Sequence, residues 1–255
     1  MGLFYAYAKT ITDDWSSRYL IVFASRTVAD EWWRAVSTST VPNYATTIRR
    51  VTPQYYTYNA GLANIATTIT TAGVAQQFLG TVFFTLLNDR DGRILSVIPP
   101  LTGDVADHIN GNWFYIRSKG PNPVYWYATP SGQIVASRTQ STRFRISATD
   151  KSLNNAVLIG NDQINIATTG GLSVNVSNYG NLQVSGKADT FRFGDLTSGF
   201  RVNAYGNELL PGVSSNAVVK TSENDAQEWE LTEGGVIDGN DDWDLAAAAA
   251  TTASA

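Results

Sequence analysis

The residue types that carry out most protein chemistry are sparse in this chain, and they do not combine. It has one histidine, His108, and no cysteine; a lone imidazole cannot assemble the usual zinc ligand set or a Ser-His-Asp triad. Asp89-Arg90-Asp91-Gly92 brings two carboxylates together as a metal loop would. Asp and Gly are also what a tight turn needs for its own backbone, and turn chemistry is the expectation. Asp238, Asn240 and Asp242 open like a calcium loop, but Trp243 stands where that loop needs Gly and Ala249 where it needs Glu. Gly-x-Ser-x-Gly, a phosphate-binding loop, His-Glu-x-x-His and a dinucleotide fingerprint are absent. The chain is therefore expected to be non-enzymatic and to hold no cofactor or metal.

Composition narrows the partners. With 18 basic and 22 acidic residues the net charge is −4, so neither nucleic acid nor an anionic membrane is expected to bind. Aromatic residues make up 11% of the 255 residues, enough to build a core without disulfides or metal. The start "MGLFYAYAKTITDD" has no basic leader and has Ala6 where a myristoylation motif needs Ser or Thr. No apolar run reaches the ~18 residues of a membrane helix. Together with the missing cysteines this makes a cytoplasmic protein of two domains the expectation, with homo-oligomerisation open.

The first domain, 1–108, reads as α+β. "RYLIVFAS", residues 18–25, is strand-like, and Thr27 with Asp30 resembles the capping box of a helix beginning there. Val28, Trp32 and Val36 fall on one helical face, with Trp33 about 100° away. Core packing is the expected role of the Trp pair; a ligand-facing Trp33 is the alternative. "RRVTPQYYTYN" alternates like one strand, "AGVAQQFLG" suits a short helix, and "TVFFTLLNDRDGRILSVI" suits a hairpin turning at Asn88–Gly92. Residues 98–112, with two prolines and two glycines, read as a linker, with His108 as an exposed loop residue.

Beyond Asn112 the helical period gives way to short β-rich runs separated by Gly, Asn, Ser and Pro. Three run endings align: "TRFRI" at 142–146, "DTFRF" at 189–193 and "QEWEL" at 227–231. Each sets a polar residue (Thr142, Asp189, Gln227) two positions before an aromatic (Phe144, Phe191, Trp229), and the aromatics lie 47 and 38 residues apart. "WFYIRS", "AVLIGN" and "GFRVNA" read as the three openings. A repeat of about 40 residues identifies an architecture that single strands do not.

Three such units closing on polar-x-aromatic resemble the β-trefoil of ricin B-type lectins, whose repeats end in Gln-x-Trp; the stretch from Asn112 to Ile146 is similar to fungal members of that family. The resemblance covers roughly 109–235, leaving 236–255 as an acidic, then Ala/Thr-rich tail. It implies an all-β C-terminal domain and carbohydrate binding. In that family an early Asp, a later aromatic and a closing Asn or Gln hold the sugar, since carboxylates and amides pair with hydroxyls and an aromatic face covers the C–H face of the ring. Carried over, this points to Asp162, Tyr179 and Asn181 in the second unit. Trp126 with Tyr127, read as an exposed platform, stands in the first, and Asn203 with Tyr205 and Gln227 in the third. Hairpin-turn chemistry is the rival role for Asp162 and Asn181. Two other functions stand beside the lectin reading: a carrier of a non-covalent small apolar ligand, chromoprotein-like, and a trefoil protease inhibitor acting through loop 118–124.

Overall fold

In the computed structural model, residues 2–12, 17–87, 105–203, 216–221 and 226–235 are described. The Asn88–Gly92 turn, Tyr205, the calcium-like run at 238–242 and the 236–255 tail fall outside them. The chain divides into two compact units between Asp107 and His108, and strand dominates both.

In the first unit β1 (Phe4–Thr10) and β2 (Arg18–Phe23) pair antiparallel, and α1 (Arg26–Ser37) follows directly, with the one-turn α2 (Tyr44–Thr47) after it. The N-cap of α1 is Ser25, whose Oγ accepts the Val28 N–H at 3.2 Å, so the cap lies two residues before the Thr27 expected from sequence. Asp30 is thereby freed for ion pairing. "RRVTPQYYTYN" is not one strand but two, β3 (Arg49–Thr52) and β4 (Tyr55–Tyr58). The break falls at Pro53, which has no N–H to give a ladder. "AGVAQQFLG" yields only a single 3-10 turn, Gln76–Phe78, before β5 (Val82–Leu87). The sheet order is β3-β4-β1-β2-β5, with β1 and β4 parallel.

Alternation decides which side chains enter this core. Ala6, Ala8, Ile21, Phe23, Tyr56 and Tyr58 are buried from the strands, and Trp32 and Val36 meet them from α1. Trp32 sits 5.4 Å from both Phe23 and Tyr56, and its indole N–H reaches Thr68 Oγ1 at 3.2 Å. Half-buried Trp33 packs on Tyr56 at 5.7 Å. Both indoles are committed to packing, as expected for the pair.

The second unit repeats one pattern. β6 (Trp113–Ser118), β7 (Tyr125–Ala128), β8 (Ile134–Ser137) and β9 (Arg143–Ala148) are followed by β10 (Gln163–Thr168), β11 (Ser173–Val176), β12 (Leu182–Ser185) and β13 (Phe191–Arg192). Then come the one-turn α3 (Asp195–Ser198), β14 (Phe200–Val202), β15 (Val218–Lys220) and β16 (Trp229–Thr232). Strands β16-β6-β9-β10-β13 lie side by side and curl into a nearly closed barrel. β7–β8, β11–β12 and β14–β15 form three two-stranded hairpins.

The hairpins interlock in a cycle. Val184 N–H donates to the Gly132 carbonyl at 2.7 Å, Lys220 N–H to Gly180 at 2.9 Å, and Ala136 N–H to Asn216 at 2.8 Å. Each donor holds the same place in its hairpin, and so does each acceptor. The registers Trp126↔Ala136, Val174↔Val184 and Phe200↔Lys220 make β7, β11 and β14 equivalent. "GFRVNA" is therefore the second strand of its unit rather than the opening. In the place of a first strand the chain makes α3, which buries Leu196 against β13, β14 and β16. "AVLIGN" likewise precedes the true opening strand, β10.

Candidate functional site

The three signature aromatics fall on the closing strands β9, β13 and β16, and all are buried: Phe144, Phe191 and Trp229. At their centre stands Trp126, edge to face with Phe144 at 6.0 Å, Phe200 at 5.2 Å and Trp229 at 5.7 Å. Trp126 is 0% exposed. It is the hub of the core and no exposed platform, because the parity of β7 turns Tyr125 and Tyr127 outward and Trp126 inward.

The polar members of the signature are architectural too. Thr142, Asp189 and Gln227 each donate a backbone N–H to the second strand of their unit, at Trp126, Val174 and Phe200. Thr142 Oγ1 also accepts the N–H of Ala128, and Asp189 Oδ2 that of Val176, each the last residue of its strand. These contacts clip each hairpin to its closing strand.

Of the predicted sugar ligands, Asp162 turns its Oδ2 on the N–H of Ile159 at 2.8 Å, closing its own turn, while its carbonyl receives the Phe193 N–H. Asn181 ends the 177–181 turn, with its N–H bound to Ser177 Oγ and its carbonyl to the Ser177 N–H. Gly180, at φ 83°, completes that turn. Tyr179 sits at its tip, 65% exposed, with its ring and hydroxyl unpartnered among the described residues. Asn203 is half-buried after β14 and donates its N–H to Ala217. Its companion Gln227 lies at the far end of a clip rather than on an open surface. Tyr179 is thus the member of the predicted set that presents an open binding group. His108 is a half-buried packing residue rather than an exposed loop residue, 5.4 Å from Phe193 and 6.4 Å from Phe114.

A polar depression of about 470 Å³ opens elsewhere on the second unit, between the 110–112 loop, the end of β9 and the 150–155 turn. Asn110 joins its walls: its amide donates to the Leu153 carbonyl and its Oδ1 accepts the Ala148 N–H, both at 2.7 Å. Arg145 Nε donates to the Gly111 carbonyl at 3.0 Å. Hydrogen bonding from the Ser152 side chain, and then from the Ser152 N–H to Asp150 Oδ1, lowers the Asp150 pKa below its ordinary value, which keeps the group anionic. The side chains of Asn112, Lys151, Asn154 and Asn155 line the depression without a hydrogen-bond partner among the described residues. Nothing in the sequence marked this site, because its walls come from segments more than thirty residues apart that share no motif.

Among the described residues no group of three or more His, Cys, Asp or Glu side chains is arranged to hold a metal. No described helix is long and apolar enough to cross a membrane. No protein-family model, curated protein or solved structure matches the chain.

Proposed function

We propose that the protein is a non-enzymatic carbohydrate-binding protein whose second unit is a β-trefoil of the ricin B-like kind. The cyclic interlock of three equivalent hairpins, each clipped to a closing strand that carries a buried aromatic, supports the fold. The replacement of one first strand by α3 makes it an incomplete trefoil, with the third unit the least suited to binding.

The observation that carries the binding reading is Tyr179. Its ring projects from a turn whose backbone is bonded to Ser177 and fixed by a left-handed Gly180, so little backbone entropy is lost when a sugar ring stacks on it. Asn181 beside it offers an amide to hydroxyls. A glycan array probed with the wild type and Tyr179→Ala tests this. Binding that disappears in the variant, with the melting temperature unchanged, supports the reading, and an array blank for wild type at high protein concentration sinks it.

A further inference from the structure

The depression between Asn112, Arg145 and Lys151 carries a second, chemically different site. Resting on the carbohydrate reading above, we infer that it binds a saccharide bearing a carboxylate, of the uronic-acid type, independently of Tyr179.

Its framework is built before any ligand arrives. The two sides of the Asn110 amide are spent on tying the 110–112 loop to β9 and to the 150–155 turn. Gly111, at φ 87°, donates its N–H to Ile146 and receives Arg145 Nε, which fixes the guanidinium by one edge. Asn155 holds a left-handed conformation at φ 57°, which bends the turn around the rim. Preorganised walls of this kind lower the entropic cost of binding.

Three amides (Asn112, Asn154 and Asn155), an ammonium (Lys151) and the remaining N–H groups of Arg145 are left for a ligand. Each amide gives two donors and one acceptor, the pattern that pairs with vicinal hydroxyls. Two cations face one carboxylate, Asp150, whose Oδ1 is already occupied. The rim is therefore net positive on a protein of charge −4, and a guanidinium with an ammonium alongside suits a planar carboxylate. The lining side chains are polar apart from Ala148, which disfavours an apolar or aromatic ligand and selects a hydroxylated anion.

The test is an amide-detected NMR titration of the full chain with methyl glucuronide, methyl glucoside, sodium acetate and sodium sulfate as separate probes. The expected result is saturable shifts of the Asn112, Asn154 and Asn155 side-chain amides with glucuronide. Binding should be at least about tenfold tighter than for any other probe and should weaken as salt rises. Arg145→Gln and Lys151→Gln should each weaken glucuronide about tenfold, while Tyr179→Ala leaves it unchanged. Acetate or sulfate binding as tightly as glucuronide would reduce the site to an anion site and overturn the inference, as would glucoside binding equally well. Inert glucuronide beside a glycan array on which the wild type binds through Tyr179 would overturn it and leave the carbohydrate reading intact, whereas silence in the titration and across the array would remove both.

Discussion

The indole rings of Trp126 and Trp229 stand edge to face, 5.7 Å between centroids and 73° between planes, one from the first unit of the β domain and one from the last. The same indole of Trp126 also meets Phe144 and Phe200, so aromatics from three strands converge on it. Truncation to Trp126→Ala is expected to cost about 3–5 kcal/mol in urea unfolding. Trp126→Phe should cost much less and leave glycan binding unchanged.

In the first unit Arg50, its side chain 2% exposed, sets Nη2 2.7 Å from Asp30 Oδ1 and 2.8 Å from Asp107 Oδ1, while Arg26 Nε reaches Asp30 Oδ2 at 2.9 Å. Burial alone would lower the Arg50 pKa, but the negative charge of its neighbours raises it overall, so the guanidinium stays charged. Removing its deepest partner leaves that buried charge to Asp107 alone: Asp30→Ala should cost about 3 kcal/mol. Asp107→Ala should cost less, since the Asp107 side chain is a quarter exposed. Thermal melts of the two variants side by side would show the order.

Tyr56 is fully buried, and its hydroxyl has no hydrogen-bond partner among the described residues. Burial pushes its pKa to about 12. Below pH 10 the phenol is protonated in both the folded and the unfolded chain, so its contribution to stability is fully present. Between pH 10 and 12 the unfolded chain gives up the proton and the folded chain keeps it, so stability falls by about 3 kcal/mol. Tyr56→Phe should lack that component of the alkaline decline and be neutral to slightly stabilising at pH 7, since it removes an unpaired hydroxyl. Denaturant midpoints measured at pH 8, 10 and 11.5 separate the two proteins.

Gly132 and Gly180 hold equivalent turn positions at φ 85° and 83°. A Cβ on Gly132 would stand 3.2 Å from the Val184 carbonyl oxygen, whereas one on Gly180 would meet nothing within 4 Å. Gly180→Ala should therefore cost only the left-handed penalty, about 1–2 kcal/mol. Gly132→Ala should cost more, because the new methyl also presses on the neighbouring hairpin. Equal urea midpoints for the two variants would contradict this.

A short strand encodes its face and its composition but not its partners. Phe144, Phe191 and Trp229 are legible because a polar residue, an aromatic and an apolar residue at alternate positions close three β-rich runs at intervals of 47 and 38 residues. "GFRVNA" has the look of an opening but is a second strand, because strands of three to six residues look alike until their partners are known. The face of Trp126 hung on parity alone, where a slip of one residue exchanges inside for outside. The cap of α1 falls at Ser25 and not at Thr27, because the helix already begins at Arg26 and the Ser25 hydroxyl reaches the Val28 N–H. The exposure of Tyr179 is legible because turn residues around an aromatic are a local pattern, while the Arg145 depression is not, because folding alone assembles it.

The reciprocal handover among Gly132, Gly180 and Asn216 also sets an order of events at the ribosome. The N–H of Ala136 has to wait for a carbonyl synthesised eighty residues later, since Asn216 is its acceptor and the Asn216 amide answers on the Ala136 carbonyl. Until that last hairpin emerges, the first two form an open arc with an unmet donor at one end and an unmet acceptor at the other. Long-range closure of this kind slows folding. A nascent chain stalled before residue 216 should be soft to protease throughout the β domain, and one that has passed residue 232, with β15 and β16 complete, resistant.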